Sequence, residues 1–128
     1  MALPAADAQY LQNAGIAHSV VNDAGMICVI VPRFCLPPGY SRQDADLLLR
    51  LNPGYPDVPP DMWWFEPAVF LADGSSPPAT DVREQHFGRT WQRWSRHLNQ
   101  GQWRSGVDSV ETFLALIRQD LKRQSGVK

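Results

Sequence analysis

The spacing of apolar residues predicts a helix at each end of the chain. Residues 4–14 suit a short helix, since proline favours a helix start and Gly15 comes just past its end. Near the C-terminus, Asp108 followed by Glu111 forms a capping-box pattern ahead of an apolar stripe at helical spacing. The stripe consists of Val110, Phe113, Leu114, Ile117 and Leu121. An amphipathic helix is therefore predicted to end near Gln124.

Four apolar runs between these helices predict an antiparallel meander of four strands. Residues 16–21 and 26–31 are β-rich and flank the turn sequence Asn-Asp-Ala-Gly, which predicts a hairpin. Residues 45–51 predict a third strand, with a helix as the alternative, and the aromatic residues 62–65 predict a fourth. The prediction is a single α+β domain over residues 1–128, with its core from about 4 to 122.

Two further segments follow neither the helical nor the strand period. The sequence Tyr-Pro-Asp-Val-Pro-Pro-Asp at 55–61 is flanked by large apolar residues, which favours a rigid packed loop. Residues 81–102 show no sustained period, and we expect an irregular segment there. Functional side chains are often displayed on irregular segments, so the candidate chemistry is expected between 81 and 102.

Composition excludes several classes of function. The chain has 128 residues, a formal net charge of -1 and a pI of about 6.3, so it lacks the basic excess that binds nucleic acid or anionic membranes. No run of about 18 apolar residues and no leader pattern is present, so a cytoplasmic location without membrane contact is expected. Cys28 and Cys35 stand in apolar surroundings and are interpreted as reduced core thiols. The three histidines do not cluster, so no metal site is expected.

Three motifs, taken with the order of the elements, resemble the ubiquitin-conjugating fold. Leu-Pro-Pro-Gly-Tyr at 36–40 resembles the loop before that family's third strand, and Tyr-Pro-Asp-Val-Pro-Pro at 55–60 resembles its Tyr-Pro-Phe-x-Pro-Pro loop. Trp-Arg-Ser-Gly-Val-Asp at 103–108 resembles its Trp-x-Pro segment. The resemblance covers about residues 25–122 and is greatest to bacterial relatives encoded beside ubiquitin-activating proteins. It implies a ubiquitin-conjugating (UBC)-like fold with an active-site-like irregular segment.

The residues that this family uses for catalysis are only partly present. The family places a His-Pro-Asn motif shortly before its catalytic cysteine, and here His86 begins the sequence His-Phe-Gly at the matching place. The family's interval leads to Ser95 or Arg96, and no cysteine stands there. Both cysteines lie well upstream. The motif's asparagine is missing too, unless Asn99 takes its part.

Ser95 is the candidate nucleophile that the resemblance implies. A serine hydroxyl needs an adjacent base, and His97 would project to the same side as Ser95 if residues 94–97 are extended. The alternative is that Ser95 only bonds a nearby backbone group. His86 is expected to orient the segment by donating to a backbone carbonyl, with an ordinary surface imidazole as the alternative. The arginines in this segment either form a solvated face or bind a carboxylate on a partner. They are Arg83, Arg89, Arg93, Arg96 and Arg104.

Three functional hypotheses follow. The first is a ubiquitin-conjugating-like protein that works with a ubiquitin-activating-enzyme homologue and a ubiquitin-like protein, which it carries on Ser95 as an oxyester or presents without a covalent link. The second is a catalytically inactive adaptor that only binds such partners. The third is an unrelated α+β interaction domain. The sequence is compatible with a pathway in antiphage defence and with one in housekeeping. No cofactor is implied, because nucleotide and magnesium chemistry would belong to the activating partner.

Overall fold

An antiparallel sheet with a helix at each end of the chain forms the fold. The computed structural model describes residues 3–96, 98 and 101–126. The elements in chain order are α1 (Ala5–Asn13), β1 (Ser19–Asp23), β2 (Met26–Cys35), β3 (Asp44–Leu51), β4 (Met62–Glu66), β5 (Val82–His86), β6 (Arg89–Ser95) and α2 (Val110–Gln124). The strands form one sheet in the order β1-β2-β3-β4-β6-β5, and every neighbouring pair is antiparallel.

The predicted meander is present as β1 to β4. Ala24 and Gly25 join β1 to β2 in a two-residue turn, and their φ angles of 51° and 78° are of the sign that a type I′ turn requires. β2 runs four residues further than predicted, to Cys35, with a register shift between Val31 and Phe34. The third run is a strand and not a helix, since β3 pairs with both β2 and β4.

The prediction of an irregular segment was wrong for residues 82–95. They form the β5–β6 hairpin, so the sheet has six strands and not four. Phe87 and Gly88 make its turn, with φ angles of 57° and 73°. β6 pairs with β4 on one side and β5 on the other, and it is buried on both faces by Trp91 and Trp94. A strand buried on both faces has no apolar alternation, which is why the pattern was missed.

The two faces of the sheet differ. α2 packs on one face, which we call the helix face, and the main core lies between them. The opposite face, which we call the outer face, has a smaller apolar layer. That layer consists of Cys28, Leu48, Trp64 and Trp91. Cys28 is buried there as expected, but Cys35 is exposed, so the prediction of two core thiols was wrong for Cys35.

The start of α2 is fixed by contacts that the sequence did not reveal. Ser109 is the N-cap, and its backbone N–H donates to the hydroxyl of Thr112 at 2.8 Å. The predicted Asp108 and Glu111 pair is therefore not the cap, because the Asp108 carboxylate accepts instead from the backbone N–H of Arg104 at 2.6 Å. Helix α2 ends at Gln124, as predicted.

Candidate functional site

The two motif segments that suggested the family lie against one another, although they are far apart in sequence. Trp103 Nε1 donates to the carbonyl of Pro56 at 2.8 Å, and the ring of Trp103 lies 6.1 Å from that of Tyr55. The Ser105 hydroxyl donates to the carboxylate of Asp57. The proline-rich loop and the segment ahead of α2 therefore form one packed unit.

Ser95 is the last residue of β6 and belongs to the sheet. It pairs with Met62 of β4, which places both side chains on the outer face. The backbone N–H of Ser95 donates to the carbonyl of Ala79 at 3.1 Å, and its own carbonyl accepts from Arg96 Nη1 at 2.8 Å. Ser95 is partly exposed. Its backbone is therefore held by the pairing with β4 and by the carbonyl of Ala79, which lies ahead of β5.

Arg96 connects the end of β6 to three other parts of the chain through hydrogen bonds. Its backbone N–H donates to the carbonyl of Asp61 at 2.9 Å, ahead of β4. Its Nε donates to the buried carboxylate of Asp120 in α2 at 2.9 Å, and its Nη1 donates to the carbonyl of Pro78 at 2.9 Å. The guanidinium also lies 5.2 Å from the Trp94 ring. Removing one partner of such a buried pair would leave an uncompensated charge, so this contact constrains the strand end next to Ser95.

His86 lies at the other end of the hairpin. It pairs with Arg89, and Ser95 is six residues further along β6, roughly 20 Å away at about 3.3 Å per residue. The His86 ring is 11% exposed, and its Nε2 lies 3.0 Å from Glu84 Oε1. The structure therefore does not bring His86 and Ser95 together, and the ring contacts a carboxylate where a backbone carbonyl was expected.

Two other residues of the predicted site, His97 and Asn99, lie outside the described residues. The remaining histidine, His18, is within 2.9 Å of the Ile16 carbonyl ahead of β1, at the opposite edge of the sheet. Neither of the described histidines therefore lies beside Ser95.

A carboxylate network covers part of the outer face beside His86. Glu84 accepts from Trp64 Nε1 at 2.9 Å and from Arg93 Nη1 at 2.8 Å, in addition to its contact with His86. Burial raises the pKa of the Glu84 carboxyl, but these three hydrogen bonds outweigh it and hold the pKa below its usual value. Glu84 therefore remains ionised and organises the aromatic and basic side chains around it.

Neither cysteine replaces the missing nucleophile. Cys28 lies on the outer face three strands from Ser95, roughly 14 Å away at about 4.8 Å per strand. Burial raises the pKa of the Cys28 thiol, although a hydrogen bond from Arg50 opposes the shift, so the thiol stays protonated and unreactive. Cys35 is at the far end of β2, opposite Asp44.

A groove of about 270 Å³ opens on the outer face beside Met62, the neighbour of Ser95. We call it the Met62 groove. Its lining consists of Met26, Arg50, Asn52, Val58, Pro59, Pro60, Asp61, Met62 and Trp64. The Arg50 side chain is 15% exposed, and its Nη2 lies 3.3 Å from the carboxylate of Asp23. The groove thus combines apolar side chains with the Arg50 guanidinium, the Asn52 amide and the Asp61 carboxylate.

Sequence reasoning missed Arg50 and Asp120 as members of this region, and it included Arg96 in the arginine run without its contact to Asp120. Asp120 did carry a signal, because an acidic residue next to Leu121 on the apolar side of α2 needs a buried cation. Arg50 carried no such signal, since an arginine at the end of an apolar run is typical of the solvated end of a strand.

The fold and the packed motif segments are those of an E2-like, that is a ubiquitin-conjugating-like, protein. The family model described as Prokaryotic E2 family E matches residues 3–124. The match covers nearly the whole chain, so this chain belongs to that family, and the resemblance noted from its motifs is confirmed. Searches of curated proteins and of solved structures find no match.

Family membership supports a ubiquitin-conjugating-like role in a bacterial pathway. It also supports, in general terms, contact with a ubiquitin-like protein or an activating enzyme. Among residues 3–96, 98 and 101–126, no group of three or more His, Cys, Asp or Glu side chains is arranged to hold a metal ion. None of the described helices is both long and apolar enough to cross a membrane.

Proposed function

We propose that this chain takes a ubiquitin-like protein from an activating-enzyme homologue and holds its C-terminus at Ser95, whose hydroxyl accepts it as an oxyester. The observation that carries the proposal is the position of Ser95. It is partly exposed, it is fixed at the end of β6, and it lies at the interval before Trp103 where the resembled family keeps its cysteine.

The proposed step is an acyl transfer from sulfur to oxygen. Ser95 Oγ attacks the carbonyl carbon at the modifier's C-terminus, which the activating enzyme presents as a thioester. The new C–O bond forms, the C–S bond breaks, the thiolate leaves on the activating enzyme, and the serine proton passes to a general base. Serine requires such a base at neutral pH. His97, two residues after Ser95, is the proposed base.

The test is the intact mass of the protein after incubation with an activating-enzyme homologue, a ubiquitin-like protein and ATP. We expect an adduct that survives thiol reductant, is cleaved by hydroxylamine, and is lost in Ser95→Ala. The matched control is Cys35→Ser, which alters an exposed side chain at the far end of β2 and should leave the adduct unchanged. An adduct that persists in Ser95→Ala would exclude Ser95 as the carrier.

A second candidate is the catalytically inactive adaptor, and one observation favours it. Among the described residues, no imidazole or thiol lies beside Ser95, since His86 and His18 are remote and the cysteines are on other strands. An adaptor would bind the ubiquitin-like protein or the activating enzyme and form no covalent link. Retained binding with no adduct under any condition would establish it in place of the carrier.

A further inference from the structure

We infer that a pocket between α2, the end of β2 and the linker ahead of β1 binds an acidic side chain presented by an extended segment of a partner protein. The pocket has a volume of about 280 Å³, and its lining comes from residues 15–17, residues 31–35 and Arg118. We call it the Arg118 pocket. Since β3 and β4 separate β2 from β6, the pocket is not part of the Ser95 site, and the inference does not rest on the proposed function.

The first argument is the charge of the pocket. It contains two guanidinium groups, from Arg33 of β2 and Arg118 of α2. In the part of the chain that the structure describes, neither side chain forms an ion pair with a carboxylate. Asp46 accepts only from the backbone N–H of Arg33, at 3.0 Å, and its carboxylate is paired with Arg89 at 2.7 Å. Guanidinium groups bind carboxylates with a planar, bidentate geometry, so an acidic side chain complements this pocket.

The second argument is the backbone strain at Arg33. Its φ angle of 53° lies in the left-handed region, which residues with a Cβ rarely adopt. Arg33 is at the register shift between Val31 and Phe34, where a bulge changes the course of β2. Glycine would occupy this position without strain, and yet the position carries a long cationic side chain. Strained residues of this kind cluster at binding sites, so the strain supports a binding role for Arg33.

The third argument is the fixed position of Arg118. Its guanidinium carbon lies 5.3 Å from the centroid of the Phe34 ring, which is a cation–π contact. Phe34 is 5% exposed and belongs to the main core, so the ring cannot move away. The contact uses the face of the guanidinium and leaves its N–H edge available. A guanidinium held in this way loses less conformational freedom when it binds a carboxylate.

The open side of β2 favours an extended polypeptide as the ligand. β1 pairs with β2 only as far as Ile30, whereas β3 pairs with it as far as Cys35. Residues 31–35 therefore have no strand beside them on the side of β1, where the linker of residues 15–17 passes without strand pairing. Ile16 of this linker adds an apolar wall to the pocket. The space thus fits a segment in which an acidic residue has apolar neighbours.

The experiment is a titration of the isotope-labelled protein with the peptide acetyl-Val-Glu-Val-NH2, the Glu peptide, followed by NMR. A ligand of this size is expected to bind with a Kd on the order of 1 mM. We expect saturable shifts of the amides of Arg33 and Cys35 and of the Arg118 Nε–H. The neutral peptide acetyl-Val-Gln-Val-NH2, the Gln peptide, should bind at least fivefold more weakly. Raising the salt concentration from about 20 to about 200 mM should weaken binding of the Glu peptide only.

Two variants test the arginines separately. Arg118→Gln should weaken binding of the Glu peptide at least threefold. The matched control is Lys122→Gln, one turn further along α2, because it removes the same charge from an exposed side chain outside the pocket. Arg33→Gly should weaken binding at least threefold and yet raise the midpoint of urea unfolding, because glycine relieves the left-handed strain. A lower midpoint with unchanged binding would contradict the second argument.

The exposed thiol of Cys35 gives a second measurement. Cys35 lines the pocket, whereas Cys28 is buried and should not react. A saturating concentration of the Glu peptide should slow the alkylation of Cys35 by iodoacetamide at least threefold. The Gln peptide at the same concentration should slow it less, and equal protection by both peptides would count against recognition of the carboxylate.

Three outcomes of the titration would overturn the inference: equal affinity for the two peptides, saturable shifts confined to residues outside the pocket, or no saturable shift. Acetate that binds as tightly as the Glu peptide would also overturn it, because the pocket would then bind a free anion and not a polypeptide segment. These measurements use neither Ser95 nor the activating enzyme, so their failure is distinguishable from failure of the oxyester test.

Discussion

The buried carboxylate of Asp7 makes a sharp prediction about stability. Asp7 lies in α1, is 4% exposed, and accepts from the Tyr55 hydroxyl at 2.9 Å and from the backbone N–H of Val110 at 3.1 Å. Burial, and then the hydrogen bond to Asp7, raise the pKa of Tyr55, so the phenol stays a donor. Asp7→Ala leaves two buried donors without partners, at about 1–3 kcal/mol each. The expected loss in the free energy of unfolding is about 2–6 kcal/mol.

Asp7→Asn is the matched control, because the amide can make both hydrogen bonds. Its oxygen can accept from the backbone N–H of Val110, and its N–H can donate to the hydroxyl oxygen of Tyr55. This variant should cost no more than about 1.5 kcal/mol. The measurement is urea unfolding followed by tryptophan fluorescence at constant pH, with Tyr55→Phe and the double variant completing a cycle. Since Asp7 and Tyr55 are in direct contact, their coupling energy should be about 1–3 kcal/mol.

Two outcomes would refute this reasoning. One is a loss below about 1 kcal/mol for Asp7→Ala, which would mean that water or a shifted side chain satisfies both donors. The other is a coupling energy near zero, which would mean that Tyr55 and Asp7 contribute independently. Either result would show that the proline-rich loop and the start of α2 are not held together through α1.

Two further predictions concern the outer face and the proline-rich loop. Because the pKa of Glu84 is depressed in the folded state, its contribution to stability is present above its usual pKa of about 4.5 and is lost as the pH falls through the folded-state value. Glu84→Gln should therefore flatten the decline of unfolding free energy between about pH 5 and pH 3, and an unchanged slope would contradict the assignment. In Gly54→Ala, the new Cβ would lie 2.7 Å from Val58 Cγ2, so the variant should lose about 1–3 kcal/mol in urea unfolding. Adding Val58→Ala to this variant should recover most of the lost free energy of unfolding. Failure to recover it would mean that the backbone at residue 54, and not the Val58 side chain, causes the loss.

The elements with regular patterns were predictable from the sequence. The apolar stripe of α2 and the turn before Met26 led to the helix and the first hairpin because a one-sided burial pattern has a period. The β5–β6 hairpin was missed for the opposite reason. β6 is buried on both faces, and Phe87, a bulky residue, occupies a left-handed turn position that usually takes Asn, Asp or Gly.

The candidate site was predictable only as a position. Spacing from Trp103 led to Ser95, but pairing across strands, which no local pattern contains, decides what surrounds it. Arg50 of β3 and Met62 of β4 line one groove, and Met62 pairs with Ser95 of β6. For the same reason His86, nine positions before Ser95, turned out to be at the opposite end of a hairpin.

The double pairing of β6 determines how freely the end of that strand can move. A strand bonded to neighbours on both sides opens only when much of the sheet opens, so the amide of Ser95 should exchange its hydrogen almost as slowly as the core. The end of β6 is thus held in place in the unbound protein. Under the proposed function, a partner therefore meets a preformed strand and not one that rearranges on binding.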